Sequence, residues 1–317
     1  MVTRARSVRK VNTVAATTSA PPTRASTPPA RRRGRSPYPG WFYLPAAIVY
    51  GLLFLIPTLL SLYFSMTRWT IFTSEFTGFD NFVQFFSEPA LTKGFVNTFV
   101  YAAITSGAKV VLGLALGMLL TSQIVGRGFL RAVVFFPVLV SSVGVGITFQ
   151  VLMNPSKGAV NAALGVIGID GPGWLTDPSL ALFSVAMVDV WKGVGLATLI
   201  YMAGIVSIPK EYYEAAKVDG AGSWTLFRDV VFPLSWPATS TVVTLSLIGG
   251  LRSFDLIWAM TKGGPGFTSD VIASVIYKQY QAGFYGLSTA GNVILFVAVI
   301  AVVLPLTRLL ARKEVEL

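Results

Sequence analysis

The stretch EYYEAAKVDGAGSWTLFRDVVFP, residues 211–233, carries six charged side chains, Glu211, Glu214, Lys217, Asp219, Arg228 and Asp229, with Lys210 just before it. Apolar sequence flanks it on both sides, at 180–206 and 236–260. Neither flank has the polarity that a surface wetted by water needs, so the polar stretch reads as a loop between membrane spans. The composition of the rest of the chain agrees. Of 317 residues, 53% are apolar and only 12% charged, and the mean hydropathy is +0.66. Those values exceed what a soluble fold carries and predict a polytopic membrane protein.

Apolar runs long enough to cross about 30 Å of hydrocarbon recur six times, at 41–67, 97–122, 129–152, 180–206, 236–260 and 287–309. The domain so defined covers 41–312, with the polar loop at 207–235. Residues 1–40 are rich in Arg, Pro, Ser and Thr, cannot bury a core, and are expected to be a disordered basic Pro-rich tail. They lack the apolar centre of a secretory signal. The net charge of +11 is concentrated there, because nine basic residues fall within the first 35 positions. The excess therefore reports topology or anionic lipid, and nucleic acid is not an expected partner.

Lys and Arg accumulate in cytoplasmic segments. With the amino terminus inside, the inner segments hold 17 of them and the outer segments five. Both termini and the loop 207–235 are therefore expected in the cytoplasm of a bacterial cell, with the chain crossing its membrane several times. The outer segments include GFDNF at 78–82 and a stretch, 153–179, apolar enough to form a short interfacial helix.

Most enzyme chemistry is excluded by what is missing. The chain has no His and no Cys, which removes imidazole bases, thiolate nucleophiles and the usual soft metal ligands. No Lys is followed by Ser or Thr, so the phosphate loop G-x4-G-K-[ST] is absent and ATP hydrolysis by that route is ruled out. No metal, cofactor or catalytic residue is expected in this chain.

Inside the loop, Ser207 is positioned to cap a helix with Pro209 in its first turn, and Lys210 and Glu214 share a face. Gly220 can take the left-handed conformation that ends that helix. Ser223 then caps a second helix, which Pro233 helps to stop. Ala215 and Ala216 make a side of close approach, flanked by Tyr212, Tyr213, Trp224 and Phe227. That is a docking element or, more plainly, a solvated connection.

Within the spans, Asp189 and Lys192 lie three apart, and Arg252 and Asp255 repeat the spacing. Charges at that depth face a bundle interior or an aqueous path. Gly250, Ser253, Trp191, Tyr201, Gln150 and Asn292 supply hydroxyls, amides, aromatic faces and close approach for a sugar path. Pro45, Pro57, Pro137 and Pro305, with Gly107, Gly113, Gly117, Gly144, Gly146, Gly249 and Gly250, fit either close helix packing or helices broken around a substrate.

Glu214-Ala215-Ala216, then three residues, Gly220, nine residues and Val230-Val231-Phe232-Pro233 resembles the EAA signature of ABC importer permeases, with Val230 in place of Ile and Phe232 in place of Leu. The longer string Ile208–Ala238 is similar to the binding-protein-dependent carbohydrate-uptake branch, the maltose and glycerol-phosphate type. The likeness runs over about 40–312 through GFDNF, Arg127 and Arg131 ahead of FFP at 135–137, GAVN at 158–161, Trp191 and FDLIWAMTKGGP at 254–265. It implies an all-α type I importer permease of six spans with a cytoplasmic coupling helix. Its implied partners are a second permease, two copies of a cytoplasmic ATPase holding ATP and Mg, an external solute-binding protein, a carbohydrate and the bilayer. Glu214, Ala215, Ala216, Asp219, Gly220 and Pro233 would form the coupling element, and the segment before GGP would contribute Gly250 and Ser253 to the substrate pocket. The alternative is an ion-coupled secondary transporter using Asp189 or Asp255. It leaves the EAA-like loop unexplained.

Overall fold

The computed structural model describes residues 40–315, so the expected tail ahead of Gly40 lies outside the described residues. The chain divides into two units, Met1–Val49 and Tyr50–Leu317. In the first, a tight 3-10 turn, Gly40–Tyr43, runs into α1 (Leu44–Tyr50), whose side chains are all exposed and mostly apolar. The second unit opens with a wide π turn, Gly51–Leu55, and α2 (Ile56–Ser65).

A small hairpin follows, the one sheet among the described residues. Strands β1 (Thr67–Trp69) and β2 (Ser74–Phe76) pair antiparallel, Arg68 opposite Glu75. The GFDNF segment explains its position, because Asn81 is buried in α3 (Asp80–Ser87) and its amide donates to the carbonyls of Ser65 and Thr67, both at 2.8 Å.

The longest helix, α4 (Pro89–Thr121), starts with Pro in its first turn, where a missing N–H is harmless. Its 33 residues span about 50 Å at 1.5 Å per residue, longer than the hydrocarbon alone requires. The expected run 97–122 is thus the inner part of a helix that begins eight residues earlier.

The expected span 129–152 is broken. Helices α5 (Arg127–Leu139) and α6 (Ser142–Leu152) meet at 101° across an extended Val140. Pro137, with no N–H to continue the ladder, sits in the last turn of α5 and sets where it fails. Within 153–179, α7 (Ala159–Val166) is the expected short helix, and Asn161 of the GAVN segment accepts a bond from Trp174 Nε1 at 2.7 Å while donating to the Gly171 and Pro172 carbonyls. Helix α8 (Ala181–Val206) follows.

Residues 207–235 hold α9 (Lys210–Val218), α10 (Ser223–Leu226), a π turn (Phe227–Val231) and α11 (Phe232–Leu234). Then α12 (Trp236–Leu251) leaves at 66°. The expected run 236–260 also divides: the backbone departs from helix at Arg252–Phe254, and α13 (Asp255–Met260) resumes beyond it. Helices α14 (Ile272–Gln281) and α15 (Tyr285–Val315) complete the unit.

Among the described residues, four helical stretches, Trp41–Ser65, Pro89–Thr121, Ala181–Val206 and Tyr285–Arg312, are long and apolar enough to cross a membrane, and the two bent pairs raise this to six. Helices α4 and α8 form the closest pairing. A Cβ on Gly113 would come within 2.8 Å of the Ala197 side chain, so the small residue sets the approach. A buried core of Tyr101, Val185, Val188, Ile257 and Met260 joins α4, α8 and α13. Elsewhere the helices turn large apolar residues outward, as a lipid-facing surface requires.

Candidate functional site

The polar segment forms a helix, a glycine turn and a second helical stretch. Gly220 adopts φ +77° and a Cβ there would meet nothing, so backbone conformation rather than space demands glycine. Its N–H bonds the Lys217 carbonyl at 3.1 Å, and that of Ala221 bonds the Ala216 carbonyl at 2.9 Å. These two bonds make a Schellman end to α9.

Four local expectations are corrected. Ser207 does not cap α9: its hydroxyl donates to the Gly204 carbonyl at 2.7 Å, satisfying the end of α8 instead. Pro209 lies outside the helix in an extended conformation, and α9 starts one residue later. Ser223 is the first residue of α10 after Gly222 and makes no cap bond, while Pro233 falls in the first turn of α11, where it starts a helix rather than stopping one.

No residue of α9 is buried. Glu214, Ala215 and Asp219 are exposed, Ala216 is half-buried, Val218 is 87% exposed and Trp224 is 70% exposed. Tyr213 also turns partly inward, and that burial raises its hydroxyl pKa. An exposed face of small residues with apolar side chains on its rim suits a partner's cleft.

A second polar group lies among the spans. Lys109 of α4, 8% exposed, donates to Asp189 Oδ2 of α8 at 2.9 Å. Asp189 therefore pairs across helices and not with Lys192, its neighbour along α8. Gly193 makes room: a Cβ there would lie 2.7 Å from Lys109 Cε. Lys109 was not among the candidates read from the sequence. A lone Lys in the middle of an apolar helix is the signal that marks it. Tyr101 is fully buried nearby, its hydroxyl close to the Asp189 carboxylate and the Ser253 hydroxyl without reaching hydrogen-bond geometry to either.

Beside this pair is a cavity of about 230 Å³, lined by Lys109, Lys192, Gly193, Val138, Ser246 and Gly249 among others. Of the expected path residues, Lys192 lines it directly and Asp189 joins it through Lys109. The others lie apart. Gly250 is buried against α4, where a Cβ would meet Ala102 Cα at 2.7 Å, so its smallness serves helix packing. Trp191 packs edge-on against Phe149 at 5.2 Å, beside a shallow groove with Phe136 and Pro137. Arg252 and Asn292 line a cleft between α2, α12 and α15. Asp255 opens α13 beyond the break, so it does not share a helix face with Arg252 as the spacing predicted; it lines a groove with Gln150 and Trp258. Tyr201 is fully buried, with its hydroxyl unpartnered.

The segment after α13 carries a further polar anchor that sequence reasoning missed. Asp270 is fully buried, bonded by Lys278 at 2.6 Å and Ser274 at 2.7 Å. Asn97 of α4 donates to the Thr268 and Asp270 carbonyls, and Thr98 accepts from the Ile272 N–H. The GGP loop is thus tied to α4 and α14.

Comparison with known proteins completes the picture. Residues 109–315 match the family described as binding-protein-dependent transport system inner membrane component. The chain is 31% identical over 260 residues to the trehalose/maltose transport system permease protein MalF of Thermococcus litoralis, covering 81% of this chain and 88% of the relative. It is 33% identical over 244 residues to the probable ABC transporter permease protein YurN of Bacillus subtilis, 75% and 84% of the two chains. The multiple sugar-binding transport system permease protein MsmF of Streptococcus mutans is 30% identical, covering 84% and 93%. Among solved structures, a bacterial ABC transporter involved in the import of the acidic polysaccharide alginate superposes with a TM-score of 0.74 at 25% identity, over 86% of this chain and 94% of that one. The chain belongs to the family of inner membrane components of binding-protein-dependent transport systems, with the fold of an ABC importer permease.

Proposed function

We propose that this membrane component forms half of a carbohydrate-import path and is driven by a separate ATPase that seats on α9. The observation that carries the reading is the helix 210–218: without a buried residue, ended by the Gly220 turn, and placed between two candidate spans. Such an element has no structural partner of its own to satisfy. In this reading Glu214 is the charged anchor, Ala215 and Ala216 are the close-approach surface, and Asp219, Gly220 and Pro233 fix the helix pair.

The division of labour follows from composition. Lacking the phosphate loop, this chain supplies path and lever, while ATP and Mg are held by two ATPase copies. A second permease closes the path, and an external solute-binding protein delivers the sugar. The distribution of Lys and Arg sets both termini and α9 on the cytoplasmic side of the bacterial cell membrane. Lys192 and Ser246, in the cavity beside the Lys109–Asp189 pair, supply donors and a hydroxyl for a polyhydroxylated substrate. Ion coupling through Asp189 is disfavoured, because its carboxylate is occupied by Lys109.

Copurification tests the reading. Glu214→Lys and Gly220→Pro are each expected to lose the ATPase from the detergent-solubilised complex and to abolish ATP-dependent sugar uptake. Unchanged uptake in both variants would refute it.

A further inference from the structure

We infer that the groove between α6 and α13 is a second carbohydrate subsite, nearer the outside than the Lys109–Lys192 cavity; the inference deepens the sugar-import reading and rests on it.

The groove is made by two facing stripes. Val143, Ile147 and Gln150 share one face of α6; Asp255, Trp258, Ala259 and Lys262 follow at helical spacing along α13 and just past its end. Its volume is about 290 Å³. At ~30 Å³ per water that is room for roughly ten waters, the scale of a sugar ring or two. Gly146 closes the floor, since a Cβ there would lie 2.5 Å from the Ala259 side chain. Beneath it Ile257 and Met260 belong to the buried core, so the groove rests on a packed base.

Trp258 is held in place before any ligand arrives. Phe254 stacks beside it, centroids 5.7 Å apart and planes 16° apart, and Tyr277 meets it edge-on at 4.7 Å. Tyr277 also packs against Phe254 at 5.3 Å, so three rings brace one another. A braced indole offers apolar area at little entropic cost, which suits the C–H face of a sugar.

The polar groups stand around it. Among the described residues, the side chains of Gln150, Asp255 and Lys262 have no hydrogen-bond or ion-pair partner. A carboxylate, an amide and an ammonium beside an aromatic plate match the alternating hydroxyls and C–H faces of a neutral sugar. They do not match acyl chains, because unpaired charges avoid hydrocarbon. Lys262 holds φ +50°, an uncommon conformation for a residue other than Gly. The groove lies past the 252–254 break, at the end of the span away from the coupling loop. In the proposed orientation a sugar arriving from outside meets it first.

The absence of cysteine makes the test direct, because Gln150→Cys or Asp255→Cys is the sole thiol of this chain. In cells carrying the assembled complex, a membrane-impermeant maleimide applied from outside is expected to label both positions much faster than Val111→Cys, on the exposed apolar face of α4. A millimolar mixture of maltose, trehalose, raffinose and maltotetraose should slow that labelling. Trp258→Ala should raise KM for uptake several-fold with kcat nearly unchanged, and Trp258→Phe should restore most of it. Failure of both thiols to label means that lipid or the second permease fills the groove, and overturns the subsite. So does a Trp258→Ala variant whose uptake falls in proportion to the amount of assembled complex, with KM unchanged. A wild-type complex that takes up none of the four sugars counts against the import reading itself, whatever the labelling.

Discussion

Two polar interruptions between helices, 207–235 and 261–271, make a useful pair. Both break long apolar sequence and both use glycine at positive φ, Gly220 in one and Gly263 and Gly266 in the other. Their side chains behave oppositely. The first spreads its charges into the open, with no buried residue in α9 and its turn held by backbone bonds alone. The second divides its charges: Lys262 stays exposed, whereas Asp270 is buried and takes both Lys278 and Ser274, and Thr261 and Ser269 bond each other at 2.8 Å. Phe267 stays half-exposed, with the Lys278 ammonium 4.9 Å over its ring. Polar residues whose hydrogen bonds are all met within the chain serve its architecture. Polar residues left exposed at the end of a span await a partner.

Asp270→Ala should break that contrast most severely. It leaves the Lys278 ammonium, 29% exposed in its side chain, without its carboxylate, while the Ser274 hydroxyl keeps only the Val271 carbonyl as acceptor. Losing one member of a buried pair costs about 3–5 kcal/mol, and partial exposure of Lys278 places this case near the lower end. The permease purified without its ATPase should melt several degrees lower, whereas Glu214→Lys should leave that melt almost unmoved and act on ATPase binding alone. A Glu214→Lys permease that melts as low as Asp270→Ala would erase the distinction.

Gly220→Ala comes next. Forcing an alanine into the left-handed region costs about 1–2 kcal/mol. Since nothing contacts the site, the cost should surface as weaker ATPase association at unchanged expression, measured by titrating the ATPase against the variant permease complex.

The smallest effect concerns Tyr213. Burial raises its hydroxyl pKa above the ordinary 10.0. Both states keep the proton at lower pH; above the unfolded pKa the unfolded chain releases it first, so this contribution fades as pH climbs through the folded pKa. Melts across the alkaline range should fall slightly more steeply for wild type than for Tyr213→Phe. Parallel curves would mean that Tyr213 is as open as the rest of α9.

Much of the fold was legible because hydropathy and length decide whether a helix can cross a bilayer, and because glycine after a charged helix marks its end. The helix–glycine turn–helix order of the polar segment 207–235 could be read from sequence, since its structure is local. Its caps were misjudged where two helices competed for one hydroxyl: Ser207 satisfies the end of α8 and is not available to α9. The intramembrane site was less legible. Spacing placed Asp189 and Lys192 on one helix face, but the partner chosen was Lys109, 80 positions away. Gly250 had the right size for a pocket, yet it is spent on contact with Ala102.

The sequence by itself determined the number of apolar runs, the polar segment between the fourth and fifth of them, the Gly220 turn, and the absence of imidazole, thiol and phosphate loop. Only the tertiary structure decided which charges pair, where spans break, and which small residues face a helix rather than a cavity. The reason is physical. Along one helix, 3.6 residues per turn assigns faces, but lipid and protein interior are equally apolar, so hydropathy cannot tell a face that meets lipid from one that meets a neighbour.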